Sequence, residues 1–184
     1  MACWKDKRRV MRRYDLTADM YEDRYAQEQR AKYRAALENV NVEGGVVLDV
    51  GCGTGLFFSQ VAAQVSMIVG VDISRKLLLK AEDKAKQLSN VFVLQADADH
   101  LPFREGFFDA VFAFTVLQNM PKPSETLGEL KRVAKLGGSV VVTGLKKAFP
   151  LDTFMDVLEG TSLRVVSFVD IEDLKCYVAV LASQ

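Results

Sequence analysis

The sequence predicts an α/β fold: a mostly parallel, seven-stranded sheet with helices on both faces, closed by an antiparallel hairpin and preceded by a helical segment. Three observations predict it. Val46 to Val50 is a short, Val-rich run that reads as a strand buried on both faces of a parallel sheet, and it leads straight into Gly51-Cys52-Gly53-Thr54-Gly55. Further apolar runs of strand length alternate with stretches of helical periodicity, as βαβ units require. Leu163 to Val169 and Leu174 to Leu181 then stand as two strands around a turn at Asp170 to Asp173.

Composition supports a folded domain and narrows its class. The chain has 184 residues, 49% of them hydrophobic, with 24 basic and 24 acidic side chains. One α/β domain of that size buries roughly 70% of its unfolded surface, enough for a full core. No run approaches the roughly 18 apolar residues of a membrane span, and the charged N-terminus is unlike a signal peptide. Cys3, Cys52 and Cys176 are far apart and odd in number. Neither a disulfide framework nor metal-ligand spacing is present, which fits a reducing cytoplasm. The balanced charge makes no global case for nucleic acid.

Residues 2–13 carry Lys5, Lys7, Arg8, Arg9, Arg12 and Arg13 against Asp6 alone. Residues 1–13 therefore read as a solvated, poorly ordered basic arm, or more sharply as an RNA phosphate contact. The rest, 14–184, reads as one domain. From Tyr14 to Val40 the pattern is helical, with Tyr25, Tyr33, Leu37 and Val40 on one face and Tyr21 a turn earlier. This segment precedes the first strand and so lies outside any βαβ unit. Residues 14–42 are expected to cross the open top of the sheet as a lid, with Tyr14, Tyr21 and Tyr25 facing the site. Asn41 to Gly45 is a turn.

After the glycine turn, Leu56 to Val65 places Phe57, Phe58, Val61, Ala62 and Val65 at helical spacing, with the first N–H groups of that helix expected to point outward unpaired. Val65 to Val71 is the second strand, ending in Asp72-Ile73-Ser74. Asp72 is placed to accept hydrogen bonds from vicinal ribose hydroxyls. Ser74 caps a helix carrying Leu77, Leu78, Ala81, Ala85 and Leu88 inward. Val91 to Leu94 is the third strand and Phe108 to Ala113 the fourth. Pro121 and Pro123 set the next helix, with Leu127, Leu130, Val133 and Ala134 inward and Gly137-Gly138 expected at its end. Ser139 to Thr143 is the fifth strand, and Phe149 to Glu159 a short helix.

The glycine turn carries the chemistry. A dinucleotide turn reads G-x-G-x-x-G because a pyrophosphate sits on the helix N-terminus. Here the spacing is G-x-G-x-G, and Asp49 stands two residues ahead of it. A carboxylate there repels a pyrophosphate and attracts an ammonium or sulfonium cation. Leu48 to Gly55 resembles the first motif of the class I S-adenosylmethionine (SAM) methyltransferases. Asp97-Ala98, followed by Leu101-Pro102-Phe103, is similar to that family's adenine loop, and Arg132-Val133 with Gly137-Gly138 extends the likeness.

The resemblance implies a Rossmann-like sheet, SAM as cofactor and methyl transfer as the reaction. It implies that Asp49, Gly51, Cys52, Gly53 and Gly55 hold the cofactor together with Asp72 and Ile73. Asp97 would take the adenine amino group and Ala98 would offer its N–H to the ring. Phe114 and Thr115, leaving the fourth strand, would contact the methionyl part, with Gln118 toward the acceptor. Gln118 stands where many members carry a histidine, so no general base is evident. Tyr14 and Tyr21 are the remaining polar candidates, and catalysis is expected to rest on proximity. His100 reads as a loop residue, and no metal site is expected.

Two rival readings use the same residues. One is a nicotinamide-linked oxidoreductase, against which Asp49 and the missing third glycine spacing speak. The other is a SAM-binding regulatory module or a subunit needing a partner. No substrate-recognition insertion precedes the hairpin, and some small methyltransferases of this kind are completed by a small zinc-binding activator. The acceptor is not named by the sequence: a small molecule comes first, then tRNA or protein.

Overall fold

The computed structural model describes residues 2–183, and the side chains at 2, 3, 19, 21, 23 and 24 lie outside that description. Cys3 and Tyr21 are among them. Two N-terminal helices, α1 (Ala2–Thr17) and α2 (Tyr21–Leu37), are joined by a 3-10 turn at Ala18–Met20. Then follow β1 (Val46–Val50), a short α3 (Phe58–Val61), β2 (Met67–Asp72), α4 (Arg75–Ala85), β3 (Val91–Gln95) and β4 (Phe108–Ala113). After a 3-10 turn at Leu117–Asn119 come α5 (Pro123–Val133), β5 (Ala134–Leu145), α6 (Leu151–Glu159), β6 (Arg164–Val169) and β7 (Cys176–Ala182).

The described strands form one seven-stranded sheet in the order β3-β2-β1-β4-β5-β7-β6. Strands β1 to β5 run parallel, and β7 pairs antiparallel with both β5 and β6. The order in which strands are added reverses between β1 and β4, the point at which open α/β sheets hold ligands beyond their carboxyl ends. Strand β1 is buried on both sides, as its unbroken apolar run requires. Val47 joins the core under α2, α3 and α4, while Leu48 and Val50 join the core under α5 and α6.

Three elements depart from the sequence reading. Residues 2–13 are not a loose arm but most of α1, whose Lys7 is buried against the loop that follows β3. The helix expected over 56–65 contracts to four residues. Phe58 wedges its ring into the space left by two glycines: a Cβ on Gly55 or on Gly70 would sit 2.5 Å from it. Gly137-Gly138 do not end α5, which stops at Val133. They sit in an irregular stretch of β5, where pairing jumps from Phe108↔Ala134 to Ala110↔Ser139.

Candidate functional site

The glycine loop leaves β1 through Gly51 at φ +70, and a Cβ there would strike Val116 Cγ2 at 2.6 Å. Only glycine meets both demands. Four of the loop N–H groups are spent inside the protein. Gly51 and Cys52 donate to the Val71 carbonyl at 2.7 and 3.0 Å, Gly53 to Asp72 Oδ2 at 2.9 Å, and Gly55 to the Cys52 carbonyl at 2.9 Å. Those four N–H groups are taken and cannot serve a pyrophosphate, which argues against the dinucleotide reading.

Carboxylates dominate this end. Asp72 ends β2 and accepts from Gly53 N–H and, through Oδ1, from Ser74 N–H at 2.8 Å. A carboxylate has about four acceptor positions, so roughly two remain for a ligand's hydroxyls. Burial raises its pKa, the Ser74 and Gly53 N–H groups pull it back, and it settles at about 6. Asp49 is buried at the floor with no hydrogen-bond partner among the described residues. Burial, then the charge of Asp72, pushes its carboxyl well above the usual range. A buried, unpartnered acid facing a second acid is the environment a cation stabilises. Burial likewise pushes up the Cys52 thiol, which reaches only the Gly53 carbonyl at 4.0 Å.

Beyond β3 the loop is held by α5. Arg132 donates to the Phe103 and Leu101 carbonyls at 2.8 and 3.0 Å and to Glu129 at 2.7 Å, while Glu129 accepts from Leu101 N–H. That frame presents Asp97 and Ala98 to the crevice. Across it comes α1. Lys7 Nζ reaches both oxygens of Asp97 at 2.7 Å and Asp99 Oδ2 at 2.5 Å. Burial alone would lower the Lys7 ammonium, but hydrogen bonds to Asp97 and Asp99 hold its pKa above the usual value. With Lys7, Val10 and Tyr14 over it, the crevice measures about 80 Å³.

Strand β4 delivers Phe114 and Thr115. Phe114 packs edge-on to Tyr33 and Phe57 at 4.7 and 5.2 Å. Thr115 adopts φ +64, a left-handed conformation that strains a β-branched residue. Three bonds hold it: its N–H donates to Thr143 Oγ1 at 2.8 Å, its carbonyl accepts from Asn119 Nδ2 at 2.9 Å, and its hydroxyl accepts from Lys32 Nζ at 3.1 Å. Beside it opens a larger cavity of about 710 Å³, between α1 and α2 on one side and the residues after β5 on the other. Tyr14, Thr115 and Asn119 line both cavities.

Of the residues expected at the site, Gly51, Gly53, Asp72, Ile73, Asp97, Ala98, Phe114 and Thr115 line the crevice. Asp49 and Cys52 sit one step deeper, in a small recess shared with Gly51 and Phe114. Gly55 lines neither and serves the packing of Phe58. Tyr14 belongs to α1 rather than to the expected lid helix, and its hydroxyl accepts from Asn119 Nδ2 at 3.2 Å. Gln118 lines the larger cavity. The Tyr21 side chain lies outside the described residues. Sequence reasoning missed Lys7, Lys32, Asn119 and Met120. Lys7 was hidden in a basic run, and no local pattern marked the others.

Residues 48–142 match the family model for a methyltransferase domain, just over half of the chain. With Asp49, Asp72 and Asp97 at the carboxyl ends of β1, β2 and β3, that match decides the family. The chain belongs to the class I SAM-dependent methyltransferases. SAM is its cofactor, and the buried Asp49 carboxylate and the remaining acceptor positions of Asp72 fit it. This methyltransferase is 32% identical over 136 residues to a phosphatidylethanolamine N-methyltransferase of Cereibacter sphaeroides, covering 72% of this chain and 66% of that protein. The chain spans 33% to 66% of the length of the first curated relatives it matches. Its fold is shared with a SAM-dependent methyltransferase of Aquifex aeolicus (TM-score 0.81, 22% identity, 92% of this chain and 98% of that one). It is also shared with the chain matched in a complex between the Haloferax volcanii Trm112 methyltransferase activator and a methyltransferase (TM-score 0.77, 18% identity, 92% and 97%).

Proposed function

We propose that this domain transfers the methyl group of SAM to a small-molecule acceptor in the 710 Å³ cavity. The observation that carries the reading is the shared wall: Tyr14, Thr115 and Asn119 border the cofactor crevice and the larger cavity at once. The volume lies within the ~300–1,000 Å³ range of small-molecule pockets.

When bound, SAM supplies an electrophilic methyl group on a positive sulfur with a neutral leaving group. The chain supplies position and field. Asp72 and Asp97 are the acceptors for ribose and adenine, and Asp49 balances positive charge at the floor. Thr115, fixed by Thr143, Asn119 and Lys32, holds the boundary between the two ligands. Phe114 and the aromatic cluster keep water out, which strengthens every charge interaction inside. Glu28 is the one described carboxylate lining the acceptor cavity. Burial would raise it, but Lys32 and then Lys175 hold it below the usual range, so it is a poor proton acceptor at neutral pH. The acceptor must therefore arrive nucleophilic, and proximity supplies the acceleration. Entry of the cofactor calls for α1 to shift, because Lys7 holds both oxygens of the Asp97 carboxylate that would take the adenine.

Tritium-labelled SAM incubated with cell extract, split into small-molecule, RNA and protein fractions with and without RNase, tests the reading. Label is expected in the small-molecule fraction. RNase-sensitive label would move the acceptor to RNA and give the exposed Arg8, Arg9 and Arg12 of α1 that task instead.

A second reading concerns assembly. Strand β3 is an outer edge of the sheet, and its Phe92 and Leu94 are 56% and 43% exposed. Such an edge accepts a strand from another chain, and we propose a small activator subunit as that strand's source. A chain that is monomeric, stable and SAM-binding alone in size-exclusion chromatography and calorimetry removes the requirement for one.

A further inference from the structure

The two halves of the site carry opposite charge. Asp49, Asp72 and Asp97 border the cofactor side, answered there among the described residues by Lys7 alone. The larger cavity is bordered by Arg13, Lys32, Lys146, Lys147 and Lys175 against Glu28, although the whole chain has zero net charge. Two of those cations are already engaged. Lys32, only 2% exposed, spends its ammonium on Glu28 at 2.9 Å and on Thr115. Lys146 pairs with Asp170 at 2.7 Å and donates to the Ile171 carbonyl at 2.8 Å.

The other three are short of acid. Among the described residues, Arg13 meets the Asn119 amide oxygen at 2.7 Å and the face of Tyr14 at 4.9 Å but no carboxylate across the cavity, and Lys147 has no ion pair. Lys175 reaches only Glu28, at 3.4 Å, which Lys32 already holds more closely. Like charges brought together at one mouth repel unless an anion joins them. Resting on the methyltransferase reading, we infer that the acceptor is an anion, whose carboxylate or phosphate is held by Arg13, Lys147 and Lys175 while its nucleophilic atom faces Thr115. Where a second oxygen of the same carboxylate or phosphate is the atom facing Thr115, no base is needed: the new oxygen–methyl bond forms as the sulfur–methyl bond breaks, and the sulfur keeps the electron pair.

The test is calorimetry on the full chain with S-adenosylhomocysteine bound, using benzoate, phenyl phosphate and neutral benzamide at matched ionic strength. Benzoate or phenyl phosphate is expected to bind at least tenfold more tightly than benzamide. In the double variant Lys147→Glu, Lys175→Glu that preference should vanish, with cofactor affinity changed less than twofold. Lys86→Glu, just past the C-terminal end of α4, should leave the preference intact. Equal binding of charged and neutral probes, or a double variant that behaves as wild type, overturns the inference. A decamer of RNA that binds at this mouth more tightly than phenyl phosphate also overturns it. Failure to bind the cofactor is read separately in the same titrations and strikes the methyltransferase assignment instead.

Discussion

Lowering the pH from 7 to 5 should weaken SAM binding about tenfold, and Asp72 should be the reason. Its folded pKa is about 6. Roughly nine-tenths of the carboxyl is then ionised at pH 7 and about one-tenth at pH 5, so the fraction able to accept from both ribose hydroxyls falls about tenfold, or ~1.4 kcal/mol. The assay is calorimetric titration of SAM at half-unit pH steps and constant ionic strength, on wild type and Asp72→Asn. The variant should bind at least tenfold more weakly at pH 7 and lose the step centred near pH 6. Stability supplies an independent check. Because the folded value lies above the 3.8 of a free side chain, the stability Asp72 contributes is full at low pH and lost as pH rises through about 6. That loss is roughly 3 kcal/mol by pH 7. The melting temperature of Asp72→Asn relative to wild type, without cofactor, should therefore drop as pH falls from 7 to 5. A flat binding profile in wild type, or a step that survives in the variant, refutes the ribose assignment.

Other consequences follow from the same site. Asp49→Asn should weaken SAM at least tenfold without lowering the melting temperature at pH 7.5, since it removes a buried acid that has no partner; a fall of more than about 5 °C in a thermal shift assay would mean the acid holds the fold. Lys7→Met removes hydrogen bonds between charged groups, on the order of 2 kcal/mol, and should loosen α1. Stopped-flow SAM association should then become severalfold faster, and trypsin should cut sooner at Arg8, Arg9 and Arg12. An unchanged association rate would show that α1 is no gate. Gly51→Ala combines a positive φ with a 2.6 Å clash against Val116 and should cost about 2 kcal/mol or more in urea unfolding, with part recovered by Val116→Ala.

What was legible in the sequence was local. Strand β1, its glycine loop and the acids that end β2 and open the loop after β3 announce themselves because each residue's type is set by its own neighbours. A Val run needs burial on both faces, a positive φ favours glycine, and an acid after an apolar run sits at a strand tip. Where a neighbour from elsewhere decides, the reading slips. Gly137-Gly138 looked like a helix end, yet they absorb a jump in the pairing of β4 with β5. Gly55 looked like a ligand glycine, yet it makes room for the ring of Phe58.

By itself the sequence determined the order of the seven strands and of the helices between them, the acids of the cofactor crevice and hence the family. Only the tertiary structure decided that Lys7 closes on Asp97 from 90 residues away, that Lys32 steadies the strained Thr115, and that scattered basic residues gather at one cavity mouth. The physical reason is the range of the interactions. Periodicity and backbone preference act over a few residues and leave a trace in the pattern, whereas an ion pair or a cavity wall forms between segments that meet only when the sheet is complete.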